Sequence, residues 1–199
     1  MTQFSRRAFG ASFMAGAALS MLPQSAAALD LASARALIDR AIGDVNSVIN
    51  SGKSEQAMYG DFERIFAKYA DVAAIARSAL GPAARSASPA QMKAFTKAYQ
   101  TYVSRKYGRR FREFIGGKIE VVDAKPLKSY FEVISVAKLQ GEAPFDLRWH
   151  VSNKSGRDLF FNIIIEGVNM LASEREEIGN LLKKQKGDID ALIGALATA

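Results

Sequence analysis

The apolar residues of this chain change their spacing twice, and that change restricts the fold more than any other feature. From Leu31, apolar side chains return every three or four positions: Leu31, Ala34, Leu37, Ile38, Ala41, Ile42, Val45, Val48 and Ile49. That is one face of a helix. Between Ile119 and Ile165 the period falls to two, and after Ser173 it returns to the helical value. A strand cannot bury a 3.6-residue stripe on one face, nor a helix an alternating one. The chain must therefore hold helices, then a sheet, then helices. Elements segregated in this way predict an α+β domain rather than alternating α/β.

Local signals divide the helical parts. Gly52 ends the first helix, Phe62, Ile65, Phe66 and Tyr69 mark a second, and Asp71 to Arg77 a short third that stops at Gly81-Pro82. Ser88-Pro89-Ala90-Gln91 is a complete helix start. Ser88 caps, Pro89 suits the first helical position, and Gln91 closes a capping box. That helix carries Met92, Phe95, Tyr99, Tyr102, Val103, Tyr107, Phe111 and Phe114. The strand region predicts an antiparallel meander of about four strands, with Pro126 in a turn. Phe145, Leu147, Trp149 and Val151 alternate with Asp146, Arg148, His150 and Ser152, so one face should be wet. Leu159, Phe161, Ile163 and Ile165 predict the apolar face of the next strand. Ser173 to Glu176 reads as a second capping box, and Gly187-Asp188 precedes a last helix.

The first 28 residues read as an address rather than structure. Arg6-Arg7, an apolar run from Phe13 to Leu22, and Ala26-Ala27-Ala28 are the three parts of an export signal. The run is about ten residues, too short for a bilayer core of roughly 30 Å. The paired arginines resemble a twin-arginine signal, whereas Gly10 departs from that pattern and leaves the general route open. Residues 29–199 are then expected to form one exported domain, free in the periplasm. With no cysteine in the 199 residues, that domain has neither disulfide staples nor a lipid-anchored amino-terminal Cys. It also has no thiol chemistry, and a single histidine leaves little material for a metal site or a nucleophilic relay.

Few residues could carry catalysis. Phosphate-binding glycine loops are absent. Asp146 and His150 share a strand face but stand about 13 Å apart by strand rise, so His150 is expected to be solvated. Glu166 is either a buried acid or a local partner at a strand end. An enzyme using Asp146, His150 and Glu166 is one reading, and an interaction module without catalysis is another. The formal charge of +7 has a focus at Arg105, Lys106, Arg109, Arg110 and Arg112. These fall largely on the helix side away from the aromatic stripe. They read either as a solvated face or as a docking surface for an anionic partner. Nucleic acid is disfavoured, because the aromatics lie in the buried stripe rather than beside the charges. The strand from Tyr130 to Leu139 is apolar on both faces, which permits a cavity between sheet and helices.

The order of several strings resembles a known family. Phe66 to Gly81 runs into Arg85-Ser86-Ala87-Ser88-Pro89-Ala90-Gln91, followed by Phe95 and the segment from Tyr102 to Tyr107. Trp149 comes later, then Ile165-Glu166-Gly167-Val168-Asn169-Met170, Arg175, and Gly187 to Leu192. In this order they resemble the MlaC family, also called the toluene-tolerance auxiliary family, over roughly residues 31–197. The resemblance implies a soluble periplasmic phospholipid carrier with no cofactor and no catalytic residues, in which acyl tails lie between an antiparallel sheet and the surrounding helices. It implies shuttling between an outer-membrane lipoprotein and porin complex and an inner-membrane ABC transporter, maintaining outer-membrane lipid asymmetry, as a monomer. Relatives linked to hopanoids leave the lipid class open. From periodicity and nearness to the matched strings, the expected pocket residues are Tyr69, Ile75, Leu80, Tyr102, Phe111, Val133, Leu147, Trp149, Phe161, Ile163, Val168 and Met170.

Overall fold

The computed structural model describes residues 29–109 and 114–198. The leader at 1–28, and Arg110, Phe111 and Arg112, lie outside the described residues. Four helices come first: α1 (Leu31–Ile49), α2 (Glu55–Tyr69), α3 (Val72–Leu80) and α4 (Pro89–Gly108), with a 3-10 turn at Gly81–Arg85 between the last two. Five strands follow: β1 (Lys118–Leu127), β2 (Tyr130–Lys138), β3 (Phe145–Ser152), β4 (Leu159–Ile165) and β5 (Val168–Asn169). They form one antiparallel sheet in sequence order. Helices α5 (Met170–Lys184) and α6 (Ile189–Thr198) complete the chain. The α+β class and the meander agree with the hydrophobic periods.

The capping signals explain most helix starts. Asp30, Ser54 and Asp71 each accept a hydrogen bond from the third residue beyond. At α4 both halves of the Ser88–Gln91 capping box are made. At α5 the expectation fails. The cap is Asn169, which accepts from Ala172, and Ser173 turns its hydroxyl back onto the Asn169 carbonyl. Asn has the same short acceptor as Ser, and Asn169 stands where β5 ends and the backbone is free to turn.

Two strand expectations are also corrected. Pro126 is inside β1, paired with Phe131, and the turn falls at Lys128-Ser129. β1 is an edge strand, where a missing N–H can face outward without leaving a gap in the ladder. In β4 the alternation breaks. Val151 pairs with Phe160 and His150 with Asn162, so Phe161 is the extra residue of a bulge. Phe160, rather than Phe161, then shares the inner face with Val151.

The junction of α2 and α3 is bolted to the sheet. Ala70 bridges Phe160, and the Asp71 amide donates to the Phe160 carbonyl at 2.8 Å. The main core lies between the helices and the inner sheet face. Ile38, Ala76, Phe95, Tyr99, Val133, Val151, Ile178, Leu192 and Leu196 are wholly buried there. Each large apolar side chain so buried contributes about 1.5–3 kcal/mol, and together they substitute for the disulfides the chain lacks.

Candidate functional site

The core does not fill all the space under the sheet. A cavity of about 420 Å³ remains between the inner face of β3 and β4 and helices α1, α2, α3, α4 and α5. Its floor is the sheet: Phe145, Leu147, Trp149, Phe160, Ile163 and Ile165. Strand register brings them together, since Trp149 stands opposite Ile163 and Leu147 opposite Ile165. Its walls come from the helices, with Ile42 and Val45 of α1, Ile65 and Phe66 of α2, and Val103 and Tyr107 of α4. Aromatic edges hold the floor rigid. The Trp149 and Phe160 rings meet edge to face at 5.3 Å, and Phe66 lies 6.2 Å from Phe160. The Trp149 indole N–H donates to Ser135 Oγ at 2.9 Å, so the only polar atom of that ring is paired away from the cavity.

One part of the wall is polar. Glu174 of α5, only 3% exposed, accepts from Lys106 at 2.7 Å and from the Tyr107 hydroxyl at 2.5 Å, with the Tyr99 hydroxyl at 3.5 Å. Glu177, one turn on, accepts from Lys106 and from the Tyr102 hydroxyl. Burial opposes the Lys106 charge, but its hydrogen bonds to both carboxylates outweigh that and raise its pKa. Burial raises Tyr99, helped by the Glu174 charge, and burial with the Glu177 bond raises Tyr102, so both phenols stay neutral donors. Ser104 also borders the cavity. It is 5% exposed, and its hydroxyl has no hydrogen-bond partner among the described residues. The position of α5 is fixed from the sheet, because Asn162 of β4 accepts the Leu171 amide at 3.1 Å.

Of the expected pocket residues, Ile75, Leu147, Trp149, Phe161, Ile163 and Met170 border this cavity. Phe161 does so from the bulge, with its ring edge-on to Tyr130 at 5.4 Å. Five others lie elsewhere. Tyr69 is buried with its hydroxyl on Asp44 at 2.7 Å, tying α2 to α1. Leu80 is core at the end of α3. Tyr102 points its hydroxyl to Glu177 rather than into the cavity, because α4 is buried on more than one side and packs against α2, α3 and α6. Val133 is on the inner face but wholly buried in packed core. Val168 is 53% exposed on the short strand β5. Residues from α1 and α2, and Glu174, were not anticipated. Their apolar stripes were visible, but periodicity reports burial and not whether the buried space is filled. Glu174 was hidden by the misplaced capping box.

The basic cluster also separates. Lys106 turns inward to Glu174, and Arg105 donates to the Ala197 carbonyl at the end of α6 (3.1 Å). Arg109 is exposed. The residues considered for catalysis do not converge. His150 is buried, not solvated, because Glu132 on the neighbouring strand lies 3.4 Å from its Nε2 and the Tyr130 ring lies 4.7 Å away. Asp146 is exposed beside Arg148. Glu166 is exposed in the β4–β5 turn, where it and Gly167 take φ of 49° and 82°, the backbone of a tight hairpin turn. Among the described residues no group of three His, Asp or Glu side chains could hold a metal ion, and no helix is long and apolar enough to cross a membrane.

The profile of the family described as MlaC protein matches residues 39–198. The chain belongs to the MlaC family. The curated relative named intermembrane phospholipid transport system binding protein MlaC, from Haemophilus influenzae, is 28% identical over 119 residues. That match covers 57% of this chain, and spans about half the length of the relative, 55% of it. Among solved structures, a phospholipid-binding protein from Ralstonia solanacearum in complex with a phospholipid superposes with a TM-score of 0.70 at 18% identity. It covers 82% of this chain and 94% of its own. The MlaC fold is therefore shared at a sequence distance where few side chains are kept.

Proposed function

We propose that this MlaC-family chain is a phospholipid carrier that holds acyl tails in the cavity between its sheet and helices. The observation that carries this reading is the cavity itself: about 420 Å³, apolar on its floor and most of its wall. That size falls within the roughly 300–1,000 Å³ of small-molecule sites. It is also found in the fold that, in the Ralstonia protein, is complexed with a phospholipid. Moving a tail from water into such a space releases about 0.8 kcal/mol per CH₂. A bilayer offers the tail the same gain, so a carrier needs no catalytic group; it exchanges lipid wherever it docks.

The remaining parts of the reading rest on the leader and on the family resemblance. The leader sends the chain across the inner membrane to the periplasm, where it shuttles as a monomer between an outer-membrane complex and an inner-membrane ABC transporter, in the upkeep of outer-membrane asymmetry. Arg109, with Arg110 and Arg112, serves as the docking surface, and Arg105 borders it. Lys106 is withdrawn from that role by its ion pairs.

Native mass spectrometry of the purified protein, followed by lipid extraction, tests the central claim. One phospholipid per chain is expected. Protein that copurifies with no lipid and takes none from vesicles would overturn it.

A further inference from the structure

The buried apolar residues fall into two clusters, and both line the cavity. The larger is the main core. The smaller holds Ile49, Met58 and Phe62, with Val45, Val48, Ile65 and Phe114 packed on it. Among the described residues all of these except Phe114 belong to one helical hairpin, residues 44–65, made of the second half of α1 and most of α2. Val45, Phe62 and Ile65 face the cavity from this hairpin. It carries a core of its own, so it can shift as a body with little loss from the main core.

Helix α1 is weakened where the hairpin begins. Gly43 is helical, and a methyl group there would meet no atom within 4 Å. Neither backbone conformation nor close packing calls for glycine, which after proline costs a helix interior most. Four residues on, the Ser47 hydroxyl donates to the Gly43 carbonyl at 2.8 Å, a bond that often bends helices. Glycine–serine pairs are among the few places where helices kink. The other arm is anchored beside it. Asp44 accepts from Lys68 at 2.9 Å and from the Tyr69 hydroxyl at 2.7 Å, and the chain leaves the helix at Ala70, which bridges Phe160 of the sheet. Both arms thus have a pivot at the base of the hairpin. Its polar bonds to α4 run from Thr101 Oγ1 to Glu63 Oε1 at 2.9 Å and from Gln100 to the Glu63 carbonyl at 3.5 Å, and water can replace them.

We propose that residues 44–65 form a flap that swings away from α4 to open the cavity, bending α1 at Gly43 and tilting α2 about its anchored last turn. That the flap admits acyl tails rests on the carrier reading; that it opens does not. Passage in and out is then limited by this swing, as lid opening limits turnover in many enzymes.

The test follows entry of two probes. One is 1-aminoanthracene, an apolar fluorophore read by stopped flow; the other is phospholipid taken from vesicles of phosphatidylethanolamine and phosphatidylglycerol, read by native mass spectrometry. The chain has no cysteine, so Glu63→Cys with Thr101→Cys supplies the only two thiols, and a short bis-maleimide ties the flap to α4. The tied protein should take up both probes about tenfold more slowly than the same double variant capped with a mono-maleimide. Gly43→Ala should slow entry and release several-fold with final occupancy unchanged, and should melt no lower than wild type, a kinetic effect that a merely structural glycine would not give. Entry into the tied protein at the rate of the capped control, or a wild type that admits no fluorophore, would overturn the flap. Gly43→Ala that exchanges as fast as wild type would overturn Gly43 as its hinge. Wild type that admits the fluorophore but never loads phospholipid would overturn the carrier reading and leave the flap standing.

Discussion

The two faces of the sheet carry opposite side chains and are packed in the opposite sense to what their polarity suggests. On the inner face, one row across three strands is Val133, Trp149 and Ile163. The next row, on the outer face, is Glu132, His150 and Asn162. The polar row is paired throughout, even at Asn162, which also borders the cavity: each of its residues is under a tenth exposed, and the pairing runs from Lys125 through Glu132 and His150 to Asn162 and the Leu171 amide. The apolar row begins in packed core at Val133 and ends on an unfilled cavity at Trp149 and Ile163. Side-chain polarity alone thus does not locate the open space. A tied outer face lets the inner one forgo contacts, because cross-strand bonds keep the floor in place when its apolar side has no partner atoms.

The sharpest way to break this comparison is to add the same bulk at both ends of the inner row. Val133→Trp has no room, and the overpacking should cost about 3 kcal/mol or more, enough to lose the cooperative melt. Leu147→Trp or Ile163→Trp should instead leave the fold intact by circular dichroism and reduce lipid occupancy at least tenfold. Full occupancy in both would place the tails elsewhere.

The outer face should answer in the other readout. Glu132→Ala leaves His150 buried without its carboxylate and Lys125 without its partner, a loss of about 2 kcal/mol in urea unfolding with lipid occupancy unchanged. A variant as stable as wild type would show that the polar row does not tie the sheet.

The same carboxylate predicts a pH dependence. Burial acts to raise the Glu132 carboxyl, but bonding to Lys125, then the Lys125 charge and the His150 contact, prevail and hold it below the ordinary 4.5. Its contribution is complete above 4.5 and fades as pH falls through the lowered value. The melting temperature of wild type should exceed that of Glu132→Gln above pH 4.5 and converge on it as pH falls through the lowered carboxyl value. A gap that stays constant would assign the effect to packing. The smallest effect belongs to Asp146, exposed on the same outer face, where Asp146→Asn should change stability by about 0.5 kcal/mol or less. A larger loss would mean that polarity of the face matters, rather than the paired row.

The α+β class, the order of helices and strands, the Ser88–Gln91 capping box and the MlaC resemblance were all legible along the chain. These rest on period, caps and strings, which are local and survive in one dimension. Which buried residues face space emerged with the packing of distant elements. Tyr69, Leu80 and Val133 are as apolar and as buried as the cavity-facing Ile75 and Leu147, and differ only in whether neighbours from distant elements reach them. That packing also decided the fate of the charges. Lys106 meets Glu174 across 68 residues and His150 meets Glu132 across a strand pair, whereas helix and strand periodicity alone puts both on outward-facing sides. A period says that a side chain is covered, and what covers it depends on chain returning from far away in sequence.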